Sequence, residues 1–288
     1  MLPFFKLLTN LFKVRISLTI TLCAISGVFI MPNNSLNWFE IFILALSTFL
    51  ASAGASAFNQ YFERDIDALM PRTSERPFVT GRLNPDPIWL IIFALIIFTG
   101  LMLSYFILNP FSAFYNFLGA LFYGGIYTVW LKRRSIWNIV IGGLAGSFAT
   151  LAGSAAVSPS LAPEAIILSV ILFLWTPPHF WSLAMAIGDD YKKAKIPMLP
   201  NIINHSITTY IILFHTVILV FVSLLPAAYN MGLLYLGGVI FGGGYFIWTS
   251  LLLTINKTKE AAMKNFFASF IQLGLLLILI IIDGMIIF

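Results

Sequence analysis

The chain has 288 residues, of which 60% are hydrophobic and only 9% are charged, and its formal net charge is +5. Because a soluble domain carries about 25% charged residues, this composition excludes an ordinary soluble protein and predicts an all-α, polytopic membrane protein. The single cysteine, Cys23, excludes a disulfide framework and argues against a metal–thiolate site. We interpret Cys23 as a small buried hydrophobic residue.

Apolar stretches of about twenty residues, the length that a bilayer core requires, follow one another along the chain. There are nine of them, at 14–31, 38–60, 88–108, 110–130, 136–157, 164–187, 207–227, 231–254 and 266–287. We therefore expect about nine transmembrane helices in one bundle, as a single domain over residues 1–288. The first stretch is long enough to span a bilayer and has no convincing small-residue cleavage site, so we expect no cleavable signal peptide.

The basic residues all lie in five segments. One is at the start of the first span, and the others follow the second, fourth, sixth and eighth spans. They are Lys6, Lys13 and Arg15; Arg64, Arg72, Arg76 and Arg82; Lys132, Arg133 and Arg134; Lys192, Lys193 and Lys195; and Lys257, Lys259 and Lys264. The positive-inside rule then predicts a multi-pass protein of the cytoplasmic (inner) membrane, with the N-terminus in the cytoplasm and the C-terminus outside. Since topology accounts for the positive charge, we expect the lipid bilayer and no nucleic acid as a partner.

Small residues are concentrated within three spans, at 51–57, 142–147 and 242–244. Such residues allow membrane helices to approach closely. Glycine-rich loops can also bind phosphate, but these stretches lie within spans and no Lys-Ser pair follows them. We interpret them as helix-packing surfaces.

The most unusual stretch of the chain is polar and follows the second span, at 59–82, with the sequence NQYFERDIDALMPRTSERPFVTGR. Asn59, Glu63 and Asp67 are spaced i, i+4 and i+8, which places them on one face of a helix. Polar side chains stacked at the end of a membrane helix are costly unless they bind something, and oxygen ligands of this kind suit Mg²⁺. We therefore regard these three residues as candidate metal ligands.

A second polar segment follows the sixth span, at 188–200, with the sequence GDDYKKAKIPMLP. Its acids, Asp189 and Asp190, precede a group of lysines. Acids and bases together at a membrane face suit a Mg²⁺–diphosphate, because carboxylates hold the metal and cations hold the phosphate oxygens. A simpler interpretation stays open for Arg64, Lys192, Lys193 and residues 132–134, whose charges would only solvate loops and set topology.

Two histidines lie within spans. His179, in LWTPPHFWS at 174–182, follows two prolines that free backbone carbonyls and favour a kink. It could contact or ligate a haem, act as a base, or be a structural histidine with satisfied hydrogen bonds. The same ambiguity holds for His215, whereas we expect His205, in a loop, at the surface.

The two polar segments together resemble the UbiA superfamily of intramembrane prenyltransferases, whose first acidic motif is N-x-x-x-[DE]-x-x-x-D. The longer strings NQYFERDIDALMPRTSERP, TPPHFW and DYKKAKIPMLP are similar to the branch that farnesylates haem. The similarity extends over nearly the whole chain in length, span count and motif positions. It implies an enzyme that joins farnesyl diphosphate to a vinyl group of haem b, a substrate rather than a cofactor, and releases diphosphate.

The resemblance also implies roles for individual residues. Asn59, Glu63 and Asp67 would hold Mg²⁺ and diphosphate, with Asp190 as a further metal ligand and Tyr191 beside it in the second motif. The residues that would contact substrate are Arg72, Arg76, Lys132, Lys195 and His179, the last facing the haem. The product would serve haem–copper terminal oxidases directly or through a haem A synthase.

The sequence departs from the superfamily pattern at two points. Many members have Asp where this chain has Glu63, and the second segment lacks the D-x-x-x-D of the quinone-pathway members, since Ala194 stands four residues after Asp190. The second departure weakens the case for two full metal sites and favours the haem branch. The alternatives are a quinone- or chlorophyll-pathway prenyltransferase, an ion-coupled transporter with acids near the bilayer midplane, and a non-catalytic scaffold.

Overall fold

The structure is a computed structural model that describes residues 2–229 and 231–287, and all regular secondary structure in these ranges is helical. Helices α1 to α14, in chain order, are Leu2–Leu11, Val14–Phe29, Trp38–Phe62, Arg64–Asp67, Ile88–Leu103, Pro110–Ala120, Asn138–Gly142, Leu144–Val157, Pro163–Ala186, Gly188–Lys193, Leu199–Ile202, His205–Leu224, Leu233–Asn256 and Lys259–Ile287. Three of them continue with a different pitch: α5 as the π-helical segment Ser104–Leu108, α6 as the π-helical segment Leu121–Leu131, and α12 as the 3₁₀ turn Leu225–Ala228.

The nine predicted spans each correspond to one of these helices or to a consecutive pair. Seven of the described helices are long and apolar enough to cross a membrane, and α1 with α2, bent by 51° where they meet, would make an eighth. The predicted fourth span is α6 with its π-helical segment, which is more polar because it carries Asn116 and three tyrosines. The all-α, polytopic fold is thus confirmed, and about nine spans is roughly consistent with it.

Local sequence explains where the helices begin. Asn37 and Glu40 form a capping box at the start of α3, in which the Asn37 side chain accepts from the Glu40 N–H at 3.0 Å and Glu40 accepts from the Asn37 N–H at 2.8 Å. Asn109 caps α6, and Pro110 occupies its first turn, where the missing N–H costs nothing.

Helices α2 and α8 cross at a distance that only glycine permits. A Cβ atom on Gly27 would lie 2.1 Å from the carbonyl oxygen of Thr150, and one on Gly153 would lie 1.8 Å from the carbonyl oxygen of Ala24. The Ser154 hydroxyl donates to the Gly27 carbonyl oxygen across this crossing, at 2.8 Å. Small residues here act in packing, as expected for membrane helices.

Burial differs strongly between helices and shows which of them surround the site. About 61% of the most apolar window of α3 is buried inside the bundle, against 17% for α5 with its π-helical segment. Helix α5 therefore presents most of its side chains outwards, where lipid would lie. Helix α3 is central, and it ends at the polar face predicted from the sequence.

The five basic segments meet at one end of the bundle. The contacts that join them are Lys13 with Asn59, Lys132 with Glu63, Arg133 with Asp65, and Lys259 with Asp189. The two polar segments also pack on each other, because Ile66 and Met70 share a buried cluster with Tyr191, Ile196 and Met198. This arrangement agrees with the expectation that all basic residues lie on one side of the membrane.

Candidate active site

The polar face predicted at the end of α3 is present. The helix is interrupted at Glu63, but the Glu63 N–H donates to the Asn59 carbonyl oxygen and the Asp67 N–H to the Glu63 carbonyl oxygen, both at 2.9 Å. The i to i−4 pattern therefore continues into α4, and the three side chains stack on one face. All three are at most 1% exposed, so the face points into the bundle.

Each of the two carboxylates on this face is paired through one oxygen only. Lys132 Nζ lies 2.5 Å from Glu63 Oε2, and Arg76 pairs with Asp67 Oδ2. The remaining oxygens, Glu63 Oε1 and Asp67 Oδ1, are buried and have no hydrogen-bond partner in the described part of the chain. Since an unpaired buried acceptor is costly, both oxygens are candidates for contact with a ligand. Asp67 also lines the cavity of this site, whereas Glu63 is not among its lining residues.

Burial also affects the ionisation of this end of the site. It raises the pKa of the Asp67 carboxyl, and the Arg76 guanidinium opposes that rise. The ionised form of Asp67 therefore depends on the cations around it. By contrast Asp65, on the outer face, makes a bidentate pair with Arg133 at 2.6 and 2.7 Å, and this hydrogen bonding lowers the pKa of Asp65.

The residues fit a Mg²⁺ ion. The ion prefers oxygen ligands and is commonly held by one or two carboxylates together with substrate phosphates; the unpaired oxygens of Glu63 and Asp67 are of this kind. Within the described ranges, no group of three or more His, Cys, Asp or Glu side chains is arranged to hold a metal. The protein would therefore supply two carboxylates and the Asn59 amide, and phosphate oxygens would complete the coordination.

Lys13 belongs to the site, although in the sequence only its topological position is apparent. Its backbone has φ of 44° at the bend between α1 and α2. Its ammonium group donates to Asn59 Oδ1 at 2.6 Å and to the Tyr123 hydroxyl at 3.1 Å. No carboxylate pairs with it among the described residues. Burial, and after it the nearby Arg76 guanidinium, lowers the pKa of Lys13, so its positive charge depends on an anion bound beside it.

The bend at Lys13 is held by contacts to α3. The Gln60 amide donates to the carbonyl oxygens of Asn10 and Leu11, at 2.6 and 3.2 Å. These are the last carbonyl groups of α1, which have no partner within their own helix. Gln60 therefore fixes the end of α1 next to Asn59.

The π-helical segment that follows α6 supplies the opposite wall. The Thr128 hydroxyl donates to the Tyr123 carbonyl oxygen at 2.8 Å and accepts from the Asn59 amide at 2.8 Å. Tyr123 and Tyr127 stack with ring centroids 5.8 Å apart, and both line the site. Widened helical turns are frequent at functional sites, and this one orients both Asn59 and Lys13.

Arg72 adds a further cation. The Thr73 hydroxyl donates to the Asp67 carbonyl oxygen at 2.9 Å, which fixes the loop after α4, and the neighbouring Arg72 side chain lines the site without an ion pair in the described ranges. With Lys13, Arg76 and Lys132, four cations surround two carboxylates, a net charge of +2. A phosphate monoester, at about −1.5 to −2, would balance this formal charge. With Mg²⁺ the formal charge would rise from +2 to +4, which suits a more negative anion.

A cavity of about 390 Å³ leads from this polar end into the bundle. Polar and apolar residues line it. They are Lys13, Asn59, Asp67, Arg72, Arg76, Lys132 and Tyr191 at the polar end, and Cys23, Trp175, Phe180, Phe266 and Phe270, with His179 among them, in the mainly aromatic interior. Its size is within the range of small-molecule sites, which are mostly apolar with a few placed polar groups. The cavity can thus hold an ionic head group and an apolar body at once.

The small-residue stretches have a second use that the sequence did not reveal. Ala51, Ala55 and Ser56 from α3, with Gly143 and Gly146 on α7–α8, line the cavity. The packing interpretation holds at Gly54 of α3, where a Cβ would lie 3.1 Å from the Phe93 carbonyl oxygen of α5, but the five lining residues also keep the cavity wide.

His179 lies in the aromatic part of the cavity and is 4% exposed. Helix α9 continues through Pro177 and Pro178. The imidazole stacks on Trp175, with ring centroids 4.1 Å apart, and lies 4.5 Å from the centroid of Phe266. His215 is not among the cavity-lining residues, and its Nδ1 pairs with the Ile211 carbonyl oxygen of its own helix at 2.8 Å; His205 is exposed, as expected.

Only one of the three site residues predicted in the second polar segment lines the cavity. Tyr191 is 5% exposed and lines the cavity. Asp190 is half-buried and Lys195 is exposed, and neither is among the lining residues. The roles of Asp190 and Lys195 therefore stay predictions.

Comparison with known proteins gives the family. A sequence model described as the UbiA prenyltransferase family matches residues 20–271. The chain belongs to the UbiA prenyltransferase family. It is 49% identical over 278 residues to protoheme IX farnesyltransferase 2 of Paramagnetospirillum magneticum, with 96% of both chains covered. It is 37% identical to protoheme IX farnesyltransferase of Nitrosococcus oceani, with 94% of this chain and 91% of the relative covered.

Solved structures of UbiA-type proteins share the fold. A structure described as digeranylgeranylglyceryl phosphate synthase has a TM-score of 0.79 at 22% identity, covering 97% of this chain and 98% of the other. A UbiA homolog from Archaeoglobus fulgidus, bound to DMAPP and Mg²⁺, has a TM-score of 0.67 at 15% identity, covering 93% and 98%. At these identities the likeness shows the fold alone.

Proposed function

We propose that this UbiA-family protein transfers the farnesyl group of farnesyl diphosphate to a vinyl group of haem b and so forms haem O. The observation that carries the proposal is a single cavity that joins a cationic, carboxylate-bearing end to an aromatic interior containing His179. The cationic end suits a diphosphate, and the aromatic interior suits a large flat acceptor. The identity of the acceptor rests on relatives named protoheme IX farnesyltransferase, at 36–49% identity.

Positively charged side chains at the polar end of the cavity would bind the diphosphate and stabilise its departure. Lys13 and Arg72, which have no acidic partner among the described residues, would hold phosphate oxygens directly, with Arg76 and Lys132 beside them. As the bond between C1 of the farnesyl group and its oxygen breaks, negative charge grows on the leaving diphosphate. Preorganised cations at that position stabilise the transition state more than the ground state.

Glu63 and Asp67 would hold Mg²⁺ through Oε1 and Oδ1, which have no hydrogen-bond partner among the described residues. Asn59 would join them through Oδ1, which also accepts from Lys13. When bound, Mg²⁺ would neutralise diphosphate charge during bond cleavage. The proposed part of Asp190 is a further metal contact from the second segment. It is half-buried and has no ion pair in the described ranges.

The aromatic interior would control the reactive carbon. Ring faces of Trp175, Phe266 and Phe270 stabilise positive charge that develops at C1, and the closed bundle excludes water until the acceptor has reacted. The π electrons of the haem vinyl group form the new bond to C1. Water then adds to the resulting cation on the acceptor and loses a proton, which gives the hydroxyethylfarnesyl substituent and free diphosphate.

The proposal includes the membrane and the orientation in which the protein acts. The basic residues meet at one end of the bundle, and the positive-inside rule would place that end in the cytoplasm of an inner membrane, with the C-terminus outside. Both substrates are partly apolar and would reach the cavity from the bilayer. The product would pass to a haem A synthase or to terminal oxidase assembly.

Pigment analysis of membranes that express the protein tests the proposal. Expression should yield a haem that elutes later than haem b on reversed-phase chromatography, because a farnesyl chain adds apolar surface. Asp67→Ala should abolish this pigment while the protein still inserts. If the membranes instead accumulate a prenylated quinone or chlorophyll precursor and only haem b, the acceptor in the proposal is wrong.

A further inference from the structure

His179 is tied to helix α14 through Ser269. The Nδ1 atom of His179 lies 2.6 Å from the Ser269 hydroxyl oxygen. Both side chains are buried, at 4% and 0% exposed. Trp175, which stacks on the imidazole, donates its indole N–H to the Ser269 carbonyl oxygen at 2.9 Å. Ser269 therefore fixes both rings of the stack.

The hydrogen bonds of Ser269 determine which nitrogen of His179 carries the proton. The Ser269 hydroxyl donates to the Phe266 carbonyl oxygen at 2.6 Å, one turn back along α14. A hydroxyl has a single hydrogen, and two oxygens 2.6 Å apart with no hydrogen between them would repel. Ser269 must therefore accept from His179, whose Nδ1 is protonated.

It follows that His179 Nε2 has a free lone pair. This atom makes no hydrogen bond within the described residues, and the side chain lines the cavity. A neutral imidazole with its other nitrogen anchored by a hydrogen bond is the usual form of a histidine metal ligand.

The surroundings favour a metal ligand over a proton acceptor. The ring is enclosed by Trp175, Phe180, Phe266 and Phe270. Its one polar partner is a neutral hydroxyl, and no carboxylate pairs with it in the described part of the chain. A protonated imidazolium would be poorly compensated there, whereas donation of a lone pair to iron needs no added charge.

We propose that His179 is an axial ligand of the haem iron through Nε2, and that Ser269 is the positioning residue that fixes its tautomer and orientation. This inference rests on the proposed function, since it requires haem as the acceptor. It adds that the acceptor is held through its iron, with the ring placed by α9 and α14.

Haem titration of the purified full-length protein tests this inference without turnover. Ferric haem b should give the electronic and EPR spectrum of a histidine-ligated haem, and His179→Ala should lose it. Ser269→Ala removes one oxygen and should weaken haem affinity about 10-fold. This is the lower end of the range expected when a metal-bound histidine loses the hydrogen bond to its other nitrogen. The EPR g values should also shift. His215→Ala is the matched control and should behave as wild type.

Farnesyl diphosphate binding, measured in parallel, should be unchanged in Ser269→Ala, which shows that the variant is folded. A wild-type spectrum in His179→Ala, or wild-type affinity and g values in Ser269→Ala, would overturn the inference. If that occurs while the wild-type protein still farnesylates haem, the proposed function stands and only the ligation is wrong. A wild-type protein that neither binds nor modifies haem would overturn both.

Discussion

Lys132 donates to one oxygen of Glu63 at 2.5 Å, while the other oxygen of that carboxylate is buried without a partner in the described chain. The pair joins the π-helical segment after α6 to the end of α3, across 69 positions in sequence. A carboxylate that is half paired and half free can be held in place and still accept a cation. We therefore expect the charge of Glu63 to be needed for the reaction.

Glu63→Gln keeps the shape of the side chain but removes its charge. We expect kcat to fall about 10²–10³-fold, the loss typical when one preorganised electrostatic group at a transition state is removed. The Mg²⁺ concentration for half-maximal rate should rise as well. The measurement is haem farnesylation over a Mg²⁺ titration, after treatment with a chelator.

Asp65→Asn is the matched control, because Asp65 lies two residues away, is exposed and pairs with Arg133. It should retain nearly full activity. Equal losses in both variants would mean that general charge at this end matters, and not the buried face.

Lys13→Met should weaken farnesyl diphosphate binding. Hydrogen bonds to charged groups contribute about 1.5–3 kcal/mol, so we expect a Kd about 10- to 100-fold higher, with haem affinity unchanged. Binding of labelled farnesyl diphosphate to the purified protein measures this. Lys6→Met, on the exposed face of α1, should bind as wild type; an unaltered Kd for Lys13→Met would remove Lys13 from the site.

Asp190→Asn tests the second polar segment. If Asp190 completes the metal site, the variant should lose at least about 10-fold in rate and require more Mg²⁺, as expected for loss of a carboxylate ligand. Asp189→Asn changes the adjacent acid, whose partner is the exposed Lys259 at 2.7 Å, and should be nearly neutral. A neutral Asp190→Asn would leave Tyr191 as the contribution of this segment to the cavity.

Gly153→Ala should destabilise the bundle, because its Cβ would lie 1.8 Å from a backbone carbonyl oxygen of α2 that cannot move aside. Overpacking of this kind costs about 1–3 kcal/mol or more. Gly237→Ala, on α13, has no atom within 4 Å of the new Cβ and should leave the melting temperature unchanged. Thermal unfolding in detergent compares the two; equal melting temperatures would contradict the close α2–α8 crossing.

Features that depend on neighbouring residues could be predicted from the sequence. The spacing of Asn59, Glu63 and Asp67 is a helical period, so their common face follows from local geometry, and the spans follow from hydropathy. Lys13 could not be assigned in this way. Its partners, Asn59 and Tyr123, are 46 and 110 residues away, and a lysine before a span is equally expected from topology alone.

The contact between Ser269 and His179 could not be predicted from the sequence either. In the sequence it is one of many small polar residues in a long apolar helix, and only the packing of α14 on α9 places it against His179. The small residues at 51–57 and 142–147 are predicted to be packing surfaces, which is correct at Gly54, where a Cβ would lie 3.1 Å from the Phe93 carbonyl oxygen. Other small residues of these stretches line the cavity, which lies in a gap between neighbouring helices. A single sequence does not show where helices leave such a gap.

Haem farnesylation is tested most directly by incubating the purified protein with haem b, isotope-labelled farnesyl diphosphate and Mg²⁺, followed by mass analysis of the haem. We expect haem b to be converted to a species heavier by one labelled farnesyl group and one water, with one diphosphate released per haem. Haem of unchanged mass, with the label transferred to a quinone precursor supplied in competition, would contradict it.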